Sequence, residues 1–381
     1  MKRLLHFLRN LLILILIAVA AVCWVWRREL ASLTTIHSVD GNEYLYQMEY
    51  KAEYDLNDLI SKDIDSNAKL LDYVIGRIGK GIPIKMKSAQ VADENGELQV
   101  INCTSFQVKN AEGDGYLYGR NYDFFKNPTL VTVSHPKKGY ASIAVSDMSH
   151  FGYGLDKVPS SFMSRLSCLA AIYAPLDGVN EKGLCTSIMA LPKQAAVQNT
   201  GKHCVGTTVL MRLFLDRCAT VDEALYLLST LDMRHDLVVG TGYHYMVADA
   251  CGDCAVIEFD KEDGWKTMVV RKDQDANFQL VTNHLLSPKY YTEVPDEAVG
   301  NPHSRSWWRY ETAMAYLTEK NGILSPAQAA ECLGQVHWKD FVWENGMVED
   351  TQYTCVYDQQ SLTLDLRNWN DYESVKRFTL N

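Results

Sequence analysis

Two stretches of strand character constrain this chain more than anything else in it. Asn102-Cys103-Thr104-Ser105-Phe106 opens one, and Tyr118-Gly119-Arg120-Asn121-Tyr122-Asp123-Phe124 returns beside it on the next. The pairing predicts that one cysteine, one arginine and one aspartate meet at the end of a sheet. Strands are predicted at Cys103 to Val108, Gly115 to Gly119, Leu130 to Ser134, Ala141 to Val145, Tyr243 to Ala248, Ala255 to Phe259, Thr267 to Arg271 and Gln279 to Thr282, with a closing hairpin from Thr351 to Asp358 and Ser361 to Leu366. Between them, helices are predicted at Thr207 to Cys218, Val221 to Leu231, Arg305 to Glu319 and Ser325 to Val336, with Thr220 and Asp222 as start signals for the second. Strand blocks that alternate with helix pairs imply sheets layered against helices rather than a regular βαβ series, an α+β class.

Ahead of this body lies a different kind of chain. Lys2, Arg3 and Arg9 precede an unbroken apolar run from Leu11 to Trp26, which Arg27-Arg28-Glu29 closes. The run falls slightly short of the roughly 20 residues of a full span, and Leu4, Leu5, Phe7 and Leu8 extend it. A retained anchor is expected, since apolar residues continue through Val22, Trp24 and Trp26. A cleaved signal remains the alternative, because Ala18-Val19-Ala20 fits a small-residue cleavage site. The N-terminal positive charge predicts a cytoplasmic start and an exported body. Cys23 follows Val22, too bulky for a lipid-attachment site, and is read as a cysteine within a membrane helix.

From Asp55 to Ile78, Leu56, Leu59, Ile60, Ile64, Leu70, Leu71, Val74 and Ile75 recur at helical spacing, which predicts a helical forepart packed on the body. Gly79 to Pro83 breaks it, and Asp93-Glu94-Asn95-Gly96 reads as a turn. The expected organisation is therefore residues 1–28 as signal or anchor, 29–102 as forepart and 103–381 as catalytic domain.

Composition narrows the partners. The 381 residues are 47% hydrophobic and 22% charged, enough for a large core, and the net charge of −10 comes without a basic run. Nucleic acid is excluded on that ground. Ten cysteines in an exported chain permit disulfides without requiring them. Cys251-Gly252-Asp253-Cys254 lies between two predicted strands and reads as a hairpin turn, with a redox pair as the alternative. No second cluster at zinc-ligand spacing accompanies it.

Cys103 carries the chemistry. A thiolate attacks a carbonyl far better than a hydroxyl does. A free α-amine titrates at about 7.7 to 8.0 and a thiol near 8.5. A cysteine at a chain terminus therefore has its own base.

The order of motifs resembles the choloylglycine hydrolases. It comprises Cys-Thr-Ser-Phe from Cys103, Gly-Arg-Asn-Tyr-Asp-Phe from Gly119, Gly178-Val179-Asn180-Glu181-Lys182-Gly183-Leu184, Thr282-Asn283-His284 with Ser287-Pro288, Ser304-Arg305 and Thr351-Gln352-Tyr353-Thr354. That family, with its relatives penicillin V acylase, acid ceramidase and N-acylethanolamine acid amidase, consists of N-terminal-nucleophile amidases. The resemblance runs from Cys103 almost to the end of the chain. It implies a four-layer αββα sandwich and a hydrolase of linear amide C–N bonds, with no cofactor and no metal.

The resemblance also implies roles. Cys103 is the nucleophile, Arg120 supports its thiolate, Asp123 holds its amine, Asn283 donates to the oxyanion and Arg305 supports the set electrostatically. Bile-salt hydrolases carry a further asparagine where this chain has Met189 or Ala190, so one oxyanion donor is absent or comes from the backbone. The Cys-Thr-Ser start and long forepart are closer to the ceramidase and acid amidase branch, which implies a cut between Asn102 and Cys103 by the chain itself.

The expected function is an exported, membrane-tethered cysteine amidase for small N-acyl amides with an apolar acyl part. Trp307, Trp308, Tyr310, Phe124 and Phe125 are candidates for the acyl pocket, with core packing as the plainer reading. The alternatives are bile-salt, penicillin V or acyl-homoserine lactone cleavage, acyl transfer to an amine, and a silent surface binding protein.

Overall fold

The strand patterns resolve into two sheets packed face to face. A computed structural model describes residues 2–82, 101–192, 194–301, 304–342 and 348–380, so the Asp93–Gly96 turn lies outside the described residues. In chain order the elements that place the site are α1 (Lys2–Val25), α2 (Arg27–Thr35), β1 (Leu45–Tyr50), α3 (Asn67–Gly79), β2 (Asn102–Asn110), β3 (Tyr116–Phe124), β4 (Thr129–Ser134), β5 (Ser142–Asp147), β6 (Asp177–Asn180) and β7 (Cys185–Pro192). There follow α4 (Thr207–Arg217), α5 (Val221–Ser229), β8 (Thr241–Ala248), β9 (Cys254–Asp260), β10 (Lys266–Arg271), β11 (Phe278–Val281), α6 (Ser306–Glu319), α7 (Pro326–Gln335), β12 (Val348–Asp358), β13 (Thr363–Asn368) and β14 (Lys376–Thr379).

One sheet runs β1-β4-β5-β6-β7-β8-β9-β10, with His37–Ser38 added at the β1 edge; the other has the main path β11-β2-β3-β12-β13-β14. Helix α4 lies on β6 and β7, while α6 and α7 lie on β2, β3, β11 and β12, which completes an αββα sandwich. The two outer contacts use different residues. Cys103, Tyr118 and Tyr122 belong to the large core that includes the space between the sheets, whereas Phe106, Val108 and Leu117 pack with Ala313, Leu317 and Leu333 of the helices. Alternation along a strand makes that division: successive side chains point to opposite faces.

The forepart is only partly helical. The predicted stretch from Asp55 to Ile78 is two helices, Leu56–Ile60 and α3, because Ser66 caps the second by accepting from the Lys69 amide at 3.4 Å. The forepart also supplies β1, paired in parallel with β4 from Leu45 opposite Thr129 to Tyr50 opposite Ser134. At its head, α1 is 24 residues of apolar helix with none buried, long and apolar enough to cross a membrane. At 1.5 Å per residue it spans roughly 36 Å, against about 30 Å of hydrocarbon. Its base is fastened to the body: the Trp26 indole donates to the Ile78 carbonyl at 2.8 Å, and Lys80 reaches the Val25 carbonyl at 2.9 Å and Glu29 at 2.6 Å.

All ten cysteines are free thiols. Cys251 and Cys254 flank the turn from β8 to β9, and there Gly252 has φ +90° with the Tyr116 ring where a Cβ would stand.

Candidate active site

Cys103 is the second residue of β2 and fully buried. Register decides what surrounds it. In the antiparallel pairing of β2 with β3, Cys103 stands opposite Tyr122, Ser105 opposite Arg120, and Asn102 opposite Asp123. By alternation, Cys103 and Arg120 share the face between the sheets, while Asn102, Thr104 and Asp123 share the face under the helices. Arginine therefore goes to the sulfur side and aspartate to the opposite face, under the helices.

Two local devices keep that register useful. Gly119 is required because the Phe106 ring lies across it; a Cβ there would come within 2.5 Å of the ring. On the other edge of β3, β12 carries a bulge at Gln352, so that Thr351 pairs with Asp123 while Tyr353 pairs with Tyr122. Without the extra residue, positions 351 and 353 would point the same way. With it, Thr351 Oγ1 donates to Asp123 Oδ1 at 2.6 Å, and Tyr353 stacks on Tyr122 at 5.1 Å between centroids.

On the sulfur side, Arg120 is buried, and its three nitrogens meet no hydrogen-bond acceptor among the described residues. Its counter-charge is Asp177, with Oδ2 at 3.6 Å from Nε; the Tyr353 and Tyr357 hydroxyls both donate to that carboxylate, the former at 2.6 Å. Burial pushes the Cys103 thiol up, and the Arg120 charge acts against that by favouring the thiolate.

On the nitrogen side, the Cys103 amide donates to Asn283 Oδ1 at 2.6 Å. Asn283 follows β11 and is well held. Its own amide donates to Ser306 Oγ at 2.7 Å. Next to it, His244 Nε2 donates to the Thr282 carbonyl at 2.8 Å, and Glu258 accepts from the Leu286 and Ser287 amides at 2.7 and 2.9 Å. Asn283 Nδ2 donates to the Ala190 carbonyl at 2.8 Å and the Ile101 carbonyl at 3.4 Å. Position 190, where the resemblance would place an additional asparagine, thus contributes a backbone acceptor, and Met189 is buried beside Ser187.

The arginine that reaches Cys103 is Arg309, one helical turn beyond Arg305. Arg309 is fully buried; it donates to the Cys103 carbonyl, to Thr104 Oγ1 at 3.0 Å, to Asn102 Oδ1 at 3.1 Å and to Asn283 Oδ1 at 2.8 Å, and stands 3.9 Å from Asp123. Arg305 precedes the helix as its N-cap residue, half-buried, with φ +53°. The structure thus brings Cys103, Arg120, Asp123 and Asn283 together and puts Arg309 where Arg305 was expected. The physical reason is helix phase: α6 begins after Arg305, and its inward face reaches β2 at Arg309.

Sequence reading missed three charged members, Asp177, Arg309 and Glu349. The available signal for Arg309 was a charge four residues after Arg305 among tryptophans. Burial raises the Asp123 carboxyl to about 6 against the opposing pull of Arg309 and Thr351, and raises Glu349 to about 7. Of the aromatic candidates, Phe124 is buried against Phe125, Trp308 faces Trp338, and Trp307 stacks on His284 at 3.7 Å beside Tyr291 and Tyr310. Only that last group adjoins Asn283. Among the described residues no His, Cys, Asp and Glu side chains form a metal-binding group.

The family described as acyl-coenzyme A:6-aminopenicillanic acid acyl-transferase matches residues 108–371. Similar solved structures include a mutant of conjugated bile acid hydrolase from Clostridium perfringens, at 15% identity and TM-score 0.54, covering 73% of this chain and 92% of that one. A second variant of the same hydrolase gives the same identity and score over 93% of its length. Penicillin V acylase from Agrobacterium tumefaciens gives 18% identity and TM-score 0.50, covering 72% of this chain and 85% of that one. No curated protein matches the sequence. The matched residues take in nearly all of the αββα body just described, and the chain belongs to the acyl-coenzyme A:6-aminopenicillanic acid acyl-transferase family, on the N-terminal-nucleophile hydrolase fold.

Proposed function

We propose that this chain is a membrane-tethered cysteine amidase, exported and held by α1, that hydrolyses N-acyl amides with an apolar acyl part once the Asn102–Cys103 bond is cut. The observation that carries this reading is the split environment of Cys103, with Arg120 on the face of its sulfur, Asn283 accepting from its nitrogen, and Asp123 on the opposite face under the helices. In the uncut chain that nitrogen is an amide and cannot act as a base. After the cut it is an amine, ordinarily near 7.7 to 8.0, able to take the thiol proton.

The thiolate then attacks the substrate carbonyl, and the oxyanion accepts from Asn283 Nδ2. That donor is taken by the Ile101 carbonyl beforehand and becomes free when residues 101–102 withdraw. An oxyanion contact of this kind is worth about 2.7 to 4 kcal/mol. The C–N bond breaks, the protonated amine leaves, and water hydrolyses the thioester. Cleavage leaves 1–102 attached as a second chain, because β1 remains paired with β4 inside the sheet. The catalytic chain is thereby tethered without a covalent link to α1. Trp307, Tyr291 and Tyr310, beside Asn283, offer an apolar wall for the acyl chain.

Side-by-side hydrolysis of an N-acylethanolamine, a ceramide, a taurine-conjugated bile salt and penicillin V tests the substrate class. Preference for a long-chain N-acyl amide is expected; turnover of none of them, with no labelling of Cys103 by a thiol-reactive acyl probe, contradicts the reading. A second reading, acyl transfer, is favoured by the family match to an acyl-transferase. Product analysis with an added amine acceptor separates the two, since transfer yields a new amide and hydrolysis a free acid.

A further inference from the structure

A cut before Cys103 carries Asn102 away from a site built around it. The Asn102 side chain is 1% exposed, and both ends of its amide are held: Nδ2 donates to Glu349 Oε1 at 2.6 Å, and Oδ1 accepts from Arg309 at 3.1 Å. Glu349 is itself 1% exposed, and its second oxygen, Oε2, is buried with no hydrogen-bond partner among the described residues. The charged groups that face it are Asp123 from β3 and Arg305 and Arg309 from the start of α6. A buried carboxyl with one oxygen unmatched is costly to keep. For turnover of an external substrate the Asn102 clamp has no use, since Asn102 is then gone. Its use lies before the cut.

We infer that Glu349 is a positioning residue for self-cleavage, which with Arg309 locks the Asn102 side chain and thereby sets the Asn102 carbonyl against the Cys103 sulfur. The inference rests on the reading that the chain is cut there by its own thiol. In that step the thiol gives up its proton and Sγ bonds to the Asn102 carbonyl carbon. The C–N bond to Cys103 breaks, and the nitrogen takes a proton to become the free amine. Water then hydrolyses the thioester, which restores the thiol and leaves Asn102 with a carboxylate; the sum is one water consumed. Orientation governs such intramolecular attack, and a misplacement near 1 Å costs on the order of a hundredfold in rate.

The test times the loss of full-length chain in detergent by mass spectrometry. Asn102→Ala and Glu349→Ala are each expected to slow the cut about tenfold or more. The double variant is expected to be no slower than the worse single one, because both remove the same contact. Asn102→Asp sets carboxylate against carboxylate and slows the cut further; adding Glu349→Gln restores most of the rate, because the new amide donates to the new carboxylate. That recovery is what a merely structural role would not produce, and it decides the matter if Glu349→Ala fails to fold. Wild-type rates in the single variants, multiplied losses in the double, or no recovery in the exchanged pair each overturn the inference while leaving self-cleavage intact. A wild type that stays uncut, or a Cys103→Ala chain that is still cut, removes the underlying reading and the inference with it.

Discussion

The two faces of β2 differ in what holds them. Toward the opposite sheet, Cys103 and Arg120 meet Asp177, Tyr353 and Tyr357, all of which belong to the catalytic body and stay in place whatever happens ahead of Cys103. Toward the helices, Arg309, Asn283 and Glu349 are occupied by the carbonyl of Ile101 and the side chain of Asn102, which a cut would remove. The sulfur side is therefore a complete electrostatic set, whereas the helix side is filled by residues 101–102. Under the proposed cut between Asn102 and Cys103, only the second face would have to empty, and the first would stay as it is.

The largest expected effect is at Arg309. Replacing it by alanine leaves Asp123 and Glu349 buried without their shared cation, and breaking such a buried pair typically costs about 3–5 kcal/mol. Processing and turnover should both fall by at least about a hundredfold, whereas Arg305→Ala should lose far less of either. Equal losses from the two would place the working guanidinium at the wrong turn of α6. A purely sulfur-side lesion sharpens the comparison. Asp177→Asn strips Arg120 of its counter-charge, and a loss of about 3 kcal/mol is expected in denaturant unfolding. An unchanged midpoint would mean that the tyrosine hydroxyls and Arg120 do not depend on that carboxylate.

The mildest change touches the helix side alone. Thr351 donates to the Asp123 carboxylate and so favours its ionised form, in opposition to the burial that lifts it to about 6. If the ionised carboxylate is the form that holds the Cys103 amine, activity falls as pH drops through about 6. Thr351→Val should move that acid limb upward, since the removed bond lowered the pKa. A pH–rate profile for the mature enzyme checks it; an unmoved or lowered limb would take Asp123 out of the titration.

Much of this arrangement was legible in the sequence because it is local. The strand from Cys103, the helices from Thr207 and Ser325 and the turn at Cys251–Cys254 match their observed bounds closely, since each depends on alternation, capping or a glycine turn, whereas the strand predicted from Gly115 to Gly119 continues to Phe124. Cys103, Arg120, Asp123 and Asn283, which the structure brings together, are legible for the same reason: each sits in one of the short motifs that carry the resemblance. What was illegible is long-range. Asp177 meets Arg120 only because the sheets pack face to face, and Glu349 meets Asn102 only because β12 lies beside β3. Arg309 rather than Arg305 meets Cys103 because α6 begins after Arg305, and where a helix starts sets its phase. Likewise, the strand at Leu45–Tyr50 goes unread in the sequence because its partner, β4, comes only after the whole forepart. The bulge at Gln352 follows from pairing on both edges of β3 and leaves no local signature.

Whether Cys103 works as a chain terminus is what these outcomes turn on. The most direct measurement is intact-mass and N-terminal analysis of the purified protein alongside its specific activity, for wild type and Cys103→Ala. An active protein whose catalytic chain begins at Cys103 is expected, together with a fragment ending at Asn102 and an uncut, inactive Cys103→Ala. A fully active protein in which the Asn102–Cys103 bond is intact would contradict it.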